Sequence, residues 1–257
     1  MSDAIDQGKV EILKGNDGIA TVEFGHPSSN SLPGKVLQEL AVSITDLGKD
    51  DGVRVIVLKS SGDRVFCAGA SFDELLSIKD IDAGKTFFSG FANVINACRK
   101  CPKLIIGRVQ GKAVGGGVGL ASAVDYCFAT KYAEVKLSEL AIGIGPFVVG
   151  PAVERKIGVS AMSQLAINAS EWQSAHWARN NGLYAAVFDS IQEMDAKINE
   201  LALKLSRSNP EAMTLLKTTI WKGTEDWDTL LEERALISGK LVLSDFTIDA
   251  ISAFRKQ

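Results

Sequence analysis

Two patterns of apolar residues divide the sequence, and they constrain its fold more than any other feature. Up to about residue 150, short runs rich in Val and Ile alternate with stretches of helical spacing; the clearest runs are 19–24, 53–60 and 104–110. The last run, LIIGRVQ, is almost continuously apolar, which is typical of a strand buried on both faces of a sheet. After residue 150 we predict helices only. The sequence therefore predicts an α/β core followed by a helical C-terminal region.

Helices are predicted where apolar residues recur on one face. The segment 34–49 has such a face, and 85–100 forms a second helix that ends before Pro102. Shorter strands are predicted over 123–130 and 134–138. We place the core at residues 1–195 and the C-terminal helical region at 196–257. Amphipathic helices of that region, such as 226–243, are expected to need packing partners.

Composition and charge exclude several classes of protein. The chain has 257 residues, of which 46% are hydrophobic, with 28 Lys and Arg against 31 Asp and Glu. A net charge of −3 without a basic block argues against a nucleic-acid partner. The first twenty residues lack the pattern of a secretory signal, and no run of about 18 apolar residues predicts a membrane span. We expect a cytoplasmic protein with no membrane partner.

The cysteines have one spacing that is typical of redox and zinc sites. Cys98 and Cys101 form a C-x-x-C pair, but a metal site needs further ligands. The other cysteines, Cys67 and Cys127, are isolated, and the chain has only two histidines. We therefore predict reduced thiols and no metal site.

A glycine-rich stretch, GKAVGGGVGLASAVD at 111–125, carries the first indication of chemistry. It lacks the Walker pattern, and its near match to G-x-G-x-x-G has Ser122 at the third glycine position, which disfavours nucleotide binding. Glycines before a helical segment leave backbone N–H groups free to hold negative charge. A second small-residue turn, CAGAS, lies at 67–71. If the two turns converge, two N–H groups could form an oxyanion hole.

Three segments together resemble the signature regions of the crotonase, or enoyl-CoA hydratase/isomerase, superfamily. They are VFCAGASF at 65–72, GKAVGGGVG at 111–119 and LSELAIGIGPF at 137–147. Segments 26–32 and 250–254 are similar to the CoA-contacting turn and the closing helix of that family. The resemblance covers nearly the whole chain.

The resemblance implies a fold, a substrate and a site. The fold is a spiral of repeated ββα units, and the C-terminal helices assemble trimers that often pair into hexamers. The substrate is an acyl-CoA thioester, so coenzyme A enters as part of the substrate and no cofactor is covalently bound. The N–H groups of Ala70 and Gly116 would form the oxyanion hole. The implied substrate-binding residues are Ala68, Phe72, Leu75, Gly115 and Phe147.

One departure from the family pattern predicts the reaction. Hydratases of this family use two glutamates. The position that matches the first of them is Gly119 in this sequence. The second is Glu139, which matches. A single carboxylate suits a 1,3-proton shuttle that converts a 3-enoyl-CoA into a 2-enoyl-CoA. We therefore favour the single-glutamate isomerases, with Glu139 as a base whose pKa is raised by neighbouring apolar residues.

Three alternatives remain open. The chain could be a hydratase for short or branched substrates, such as methylglutaconyl-CoA, with an unidentified second acid; Glu74 is the first candidate. It could be a non-catalytic crotonase-like protein, either a scaffold or an RNA-binding relative, although the net negative charge argues against RNA binding. Glu139 could also be an ordinary surface carboxylate in a loop. A nucleotide-dependent oxidoreductase is disfavoured by the glycine pattern. Asp125 is expected to be structural.

Overall fold

The computed structural model describes residues 7–254 and contains two sheets with ten α-helices packed around them. The strands, in chain order, are β1 (Lys9–Lys14), β2 (Ile19–Gly25), β3 (Val55–Ser60), β4 (Val65–Cys67), β5 (Leu104–Val109), β6 (Lys112–Val114), β7 (Tyr126–Thr130), β8 (Val135–Lys136) and β9 (Ala186–Phe188).

The described helices include those predicted over 34–49, 85–100 and 226–243, although the second begins four residues earlier, at Ile81. They are α1 (Gly34–Lys49), α2 (Phe72–Ser77), α3 (Ile81–Lys100), α4 (Gly116–Ala123), α5 (Gly150–Ile167, interrupted at Gly158), α6 (Ala175–Asn180), α7 (Ile191–Ser206), α8 (Pro210–Ile220), α9 (Trp227–Leu241) and α10 (Asp245–Phe254). A 3-10 helix covers Leu140–Ile142. No helix between residues 7 and 254 is both long enough and apolar enough to cross a membrane.

The chain alternates between a large and a small sheet. The large sheet has the order β1-β2-β3-β5-β7-β9 and is parallel except for the β1–β2 pair. The small sheet has the order β4-β6-β8 and is parallel throughout. Each strand of the small sheet follows one strand of the large sheet and leads towards a helix. This repeated ββα unit confirms the predicted α/β class.

The large sheet is covered by helices on both faces, as the apolar run of β5 predicts. Every residue of β5 is buried. One face joins the main core with α1 and α3, while the other packs Val55, Val57 and Ile106 against Met194 and Ile198 of α7. Parallel strands need this double cover because neither face can remain exposed to water.

One expectation for the C-terminal region is wrong. The region after residue 150 is not purely helical, because Ala186–Phe188 forms the edge strand β9 beside β7. This strand is only three residues long and partly buried, so it lacks a marked apolar alternation. The predicted boundary between residues 195 and 196 falls inside α7, which packs on the central sheet.

The helix α9 finds its packing partner within the same chain. Its buried residues Leu231, Ala235 and Gly239 face the core, and Gly239 crosses Gly84 of α3 so closely that a Cβ on Gly84 would lie 2.8 Å from the Gly239 Cα. The amphipathic pattern of 226–243 is therefore explained by an intramolecular helix pair, and it does not by itself require another subunit.

A buried ionic network joins the C-terminal helices to the sheet. Lys217 of α8 lies 2.8 Å from the Asp125 carboxylate, and the two side chains are 3% and 4% exposed. The same carboxylate accepts hydrogen bonds from the backbone N–H of Ile105 and from the indole of Trp221. These contacts support the structural role expected of Asp125.

We predict that Asp125→Ala lowers the free energy of unfolding by about 3–5 kcal/mol, because it leaves the Lys217 ammonium buried without a counter-ion. Urea unfolding followed by circular dichroism measures this loss. The double variant Asp125→Ala/Lys217→Met should recover part of it. A loss below about 1 kcal/mol for the single variant would contradict the assigned network.

Candidate active site

The small sheet brings three segments of the sequence to one edge. The strands β4, β6 and β8 are parallel neighbours, so the turns that follow them leave the sheet on the same side. These turns hold Ala68 to Ala70, Gly115 with Gly116, and Glu139. Residues more than sixty positions apart in the sequence are in this way placed around one point.

A cavity of about 60 Å³ lies between the three turns. Its wall is completed by α2, α3, α9 and the loop after β8, and most of the lining side chains are apolar. The lining residues are Ala68, Gly69, Ala70, Phe72, Leu75, Phe88, Phe91, Gly115, Gly116, Ser138, Glu139, Ile142, Ile144, Gly145, Pro146, Phe147, Val148, Val149 and Ser238. All eight site residues implied by the sequence resemblance are among them.

The glycine before α4 places the Glu139 carboxylate against the main chain. Gly115 has φ +51°, a conformation that residues with a Cβ rarely adopt. A Cβ at this position would lie 2.8 Å from Glu139 Oε1. Any larger residue at 115 would therefore be strained and would also displace the carboxylate.

Two residues that line the cavity have backbone N–H groups without a hydrogen-bond partner in the described part of the chain. Within residues 7–254, neither the N–H of Ala70 nor that of Gly116 makes a hydrogen bond. The turns that carry them are close, since a Cβ on Gly69 would lie 3.6 Å from the Gly116 nitrogen. Gly116 also begins α4, where the first N–H groups have no partner in the helix. The arrangement can donate two hydrogen bonds to an oxygen in the cavity.

Glu139 carries the one ionisable side chain among the described residues that line the cavity. The residue is half-buried, but its Oε2 atom is fully buried and has no hydrogen-bond partner between residues 7 and 254. Desolvation raises the pKa of Glu139 from 4.5 to about 7, and a hydrogen bond from its own backbone N–H opposes the shift only in part. The loop is fixed by the Ile144 N–H, which donates to the Glu139 carbonyl at 3.0 Å.

Gly119, which stands where the family's hydratases carry their first glutamate, has no free space beside it. A Cβ on Gly119 would overlap Val149, a buried residue that also lines the cavity. Position 119 therefore has no space for an acidic side chain while Val149 keeps this placement.

The other acidic candidate lies elsewhere. Glu74 does not line the cavity of Glu139; its Oε2 accepts a hydrogen bond of 2.7 Å from the Gly34 N–H at the start of α1. A carboxylate at this place stabilises the N-terminus of the helix. The structure thus places Glu74 in the packing between α1 and α2.

The cysteine residues are buried and free. Burial raises the pKa of Cys67, Cys98 and Cys127 to about 12, which keeps these thiols protonated. Within residues 7–254, no group of three or more His, Cys, Asp or Glu side chains could hold a metal ion.

Several lining residues were not predicted from the sequence. Phe88 had a usable signal, because it lies beside Phe91 in a stretch of helical spacing. No sequence pattern indicates Val149 or Ser238. The packing of α5 places Val149 in the cavity, and the packing of α9 places Ser238 there.

Comparison with known proteins decides the family. The sequence profile described as "Enoyl-CoA hydratase/isomerase" matches residues 14–241. The chain belongs to this family. The structure of an enoyl-CoA hydratase from Bacillus halodurans superposes with a TM-score of 0.87 at 19% identity, covering 95% of this chain and 99% of the other.

Relatives in the enoyl-CoA hydratase/isomerase family carry the names of both reactions. The mitochondrial methylglutaconyl-CoA hydratase of Mus musculus is 32% identical over 82% of this chain and 68% of its own length. The peroxisomal Delta(3,5)-Delta(2,4)-dienoyl-CoA isomerase of Arabidopsis thaliana is 26% identical over 95% of this chain and 93% of its own. Membership of the family therefore leaves the reaction undecided.

We predict that Glu139→Gln stabilises the protein increasingly as the pH rises. Burial raises the pKa of Glu139 in the folded state to about 7. The wild-type carboxyl therefore contributes stability that is fully present below pH 4.5 and is lost as the pH rises through about 7, whereas Gln does not titrate. Urea unfolding at several pH values from 4.5 to 8 measures the difference. The exposed Glu171→Gln is the control. A difference that is independent of pH would contradict the buried state of Glu139.

Proposed function

We propose that this chain is an enoyl-CoA isomerase that moves a double bond from C3–C4 to C2–C3 of an acyl-CoA thioester. One observation carries the proposal: among the described residues that line the cavity, Glu139 alone has an ionisable side chain. A proton shuttle needs one such group, whereas the addition of water in this family's two-glutamate pattern needs two.

The proposed reaction begins when the thioester carbonyl oxygen accepts hydrogen bonds from the N–H groups of Ala70 and Gly116. The Glu139 carboxylate then removes a proton from C2, and the electron pair of the C–H bond passes into a dienolate whose negative charge rests on the thioester oxygen. Two fixed N–H donors stabilise this charge; losing one such donor typically costs about 3–4 kcal/mol.

The same carboxyl group completes the reaction. Protonated Glu139 returns its proton to C4, the C2–C3 double bond forms as the dienolate collapses, and the carboxylate is regenerated. A pKa of about 7 suits both steps, since the group accepts and releases a proton with similar ease near neutrality. The apolar lining keeps water away from the dienolate.

Hydration is the second candidate, because the 32% identical relative is named a hydratase. It would need a water molecule held and deprotonated near C3. Gly119 supplies no acid, and Val149 occupies the space beside it. These contacts favour isomerisation over hydration.

We also propose a homotrimer, or a hexamer of two trimers, in the cytoplasm, with coenzyme A present only as part of the substrate. The proposal of assembly is supported by exposed apolar side chains on α5 and α8. They are Val159, Ile167, Leu215, Leu216 and Ile220.

We predict that the purified protein converts 3-hexenoyl-CoA to 2-hexenoyl-CoA and does not hydrate the product. Glu139→Gln should lower kcat by about 10²- to 10⁴-fold because the base is lost. Chromatography of the thioesters separates the two products. Glu171→Gln, at an exposed position outside the cavity, is the matched control and should retain activity.

Formation of 3-hydroxyhexanoyl-CoA from 2-hexenoyl-CoA at a comparable rate would contradict the isomerase assignment and favour hydration. Full activity of Glu139→Gln would remove Glu139 from the mechanism altogether.

A further inference from the structure

Two serines line the cavity besides Glu139, and Ser238 is more deeply buried than Ser138. Ser238 of α9 is 1% exposed and lines the cavity that holds Glu139. Its side chain makes no hydrogen bond to any residue between 7 and 254. Its Oγ is not among the fully buried atoms of those residues that lack a partner, so the hydroxyl retains a little accessible surface. A hydroxyl with so little accessible surface costs free energy unless it finds a partner. The partner is therefore expected to come from a molecule in the cavity.

Other hydroxyls inside helices of this chain are satisfied locally. Ser122 donates to the Val118 carbonyl at 2.8 Å, and Thr45 donates to the Ala41 carbonyl at the same distance. This bond to the preceding turn is the usual solution for Ser and Thr within a helix. Ser238 does not use it, although it also lies inside a long helix.

Packing explains the size of residue 238 but not its hydroxyl. The close crossing of Gly84 and Gly239 requires small residues where α3 meets α9. Alanine would meet that requirement without burying a polar atom. The hydroxyl group itself therefore needs a separate explanation.

The charges around the cavity limit what Ser238 can bind. No Lys, Arg or His is among the described residues that line it, and Glu139 is its only ionisable group. A carboxylate on the acyl chain would be buried without a counter-ion and near a second acid. The cavity thus suits a neutral oxygen and disfavours a dicarboxylic acyl group.

We propose that Ser238 hydrogen-bonds a neutral oxygen substituent, a hydroxyl or keto group, on the distal part of the acyl chain. The substrate class is then a short 3-enoyl-CoA with such a substituent. This specificity rests on the proposed function of the site. The proposed specificity also distinguishes this chain from the 32% identical methylglutaconyl-CoA hydratase, because a methylglutaconyl group carries a second carboxylate.

Binding of saturated thioesters tests the proposal independently of turnover. The probes are hexanoyl-CoA, 5-hydroxyhexanoyl-CoA, 6-hydroxyhexanoyl-CoA and adipoyl-CoA, titrated into the wild-type protein by calorimetry. We expect at least one hydroxylated probe to bind about three- to tenfold more tightly than hexanoyl-CoA. Adipoyl-CoA should bind more weakly than hexanoyl-CoA.

The variant Ser238→Ala should abolish the preference for the hydroxylated probe and leave the affinity for hexanoyl-CoA unchanged. If Ser238 had only a structural role, Ser238→Ala would weaken the binding of all probes together. Ser238→Cys, a weak donor of similar size, provides the same readout if the alanine variant does not fold. A preference that persists in Ser238→Ala, or tighter binding of hexanoyl-CoA or adipoyl-CoA by the wild type, would overturn the proposal. Failure of isomerisation with intact Ser238-dependent binding would overturn only the proposed reaction.

Discussion

The rest of the site depends on the packing of the Glu139 carboxylate into the space that a Cβ at Gly115 would need. The space that a side chain at 115 would fill is occupied by the carboxylate, and the positive φ of Gly115 turns the chain into α4. One glycine therefore leaves room for the Glu139 carboxylate next to the turn that carries Gly116. The proximity is produced by the parallel order β4-β6-β8, which brings both turns to the same edge.

The C-terminal helices complete the site instead of forming a separate module. Ser238 of α9 lines the cavity, and α10 packs against both α2 and the 3-10 helix that follows Glu139. A Cβ on Gly143 would lie 2.7 Å from the Thr247 hydroxyl, so the last helix holds the loop that follows Glu139. Asp125 and Lys217 fix α8 to the sheet from the other side. The fold thus surrounds a single carboxylate with apolar residues, and this burial raises its pKa.

Local patterns in the sequence predict most of the fold. The apolar face of 34–49 predicts α1 to the residue, and the continuous apolar run of β5 predicts a sheet covered on both faces. The strands β1, β4, β6 and β9 are not predicted. The last three have only three residues each, too few to show a period of two, and most residues of β1 are exposed. Glycine-rich turns indicate the site, and the motif assigns Glu139 a role. By contrast, Val149 and Ser238 enter the cavity through helix packing, which no local pattern encodes.

Transfer of a labelled proton tests the one-carboxylate mechanism most directly. The measurement uses 3-hexenoyl-CoA with deuterium at C2 and determines by mass spectrometry and NMR how much deuterium the product carries at C4. Because Oε2 of Glu139 is buried away from solvent, we predict that a substantial fraction of the deuterium moves from C2 to C4. Complete loss of deuterium to water, with none at C4, would contradict a single buried base that carries the proton between the two carbons.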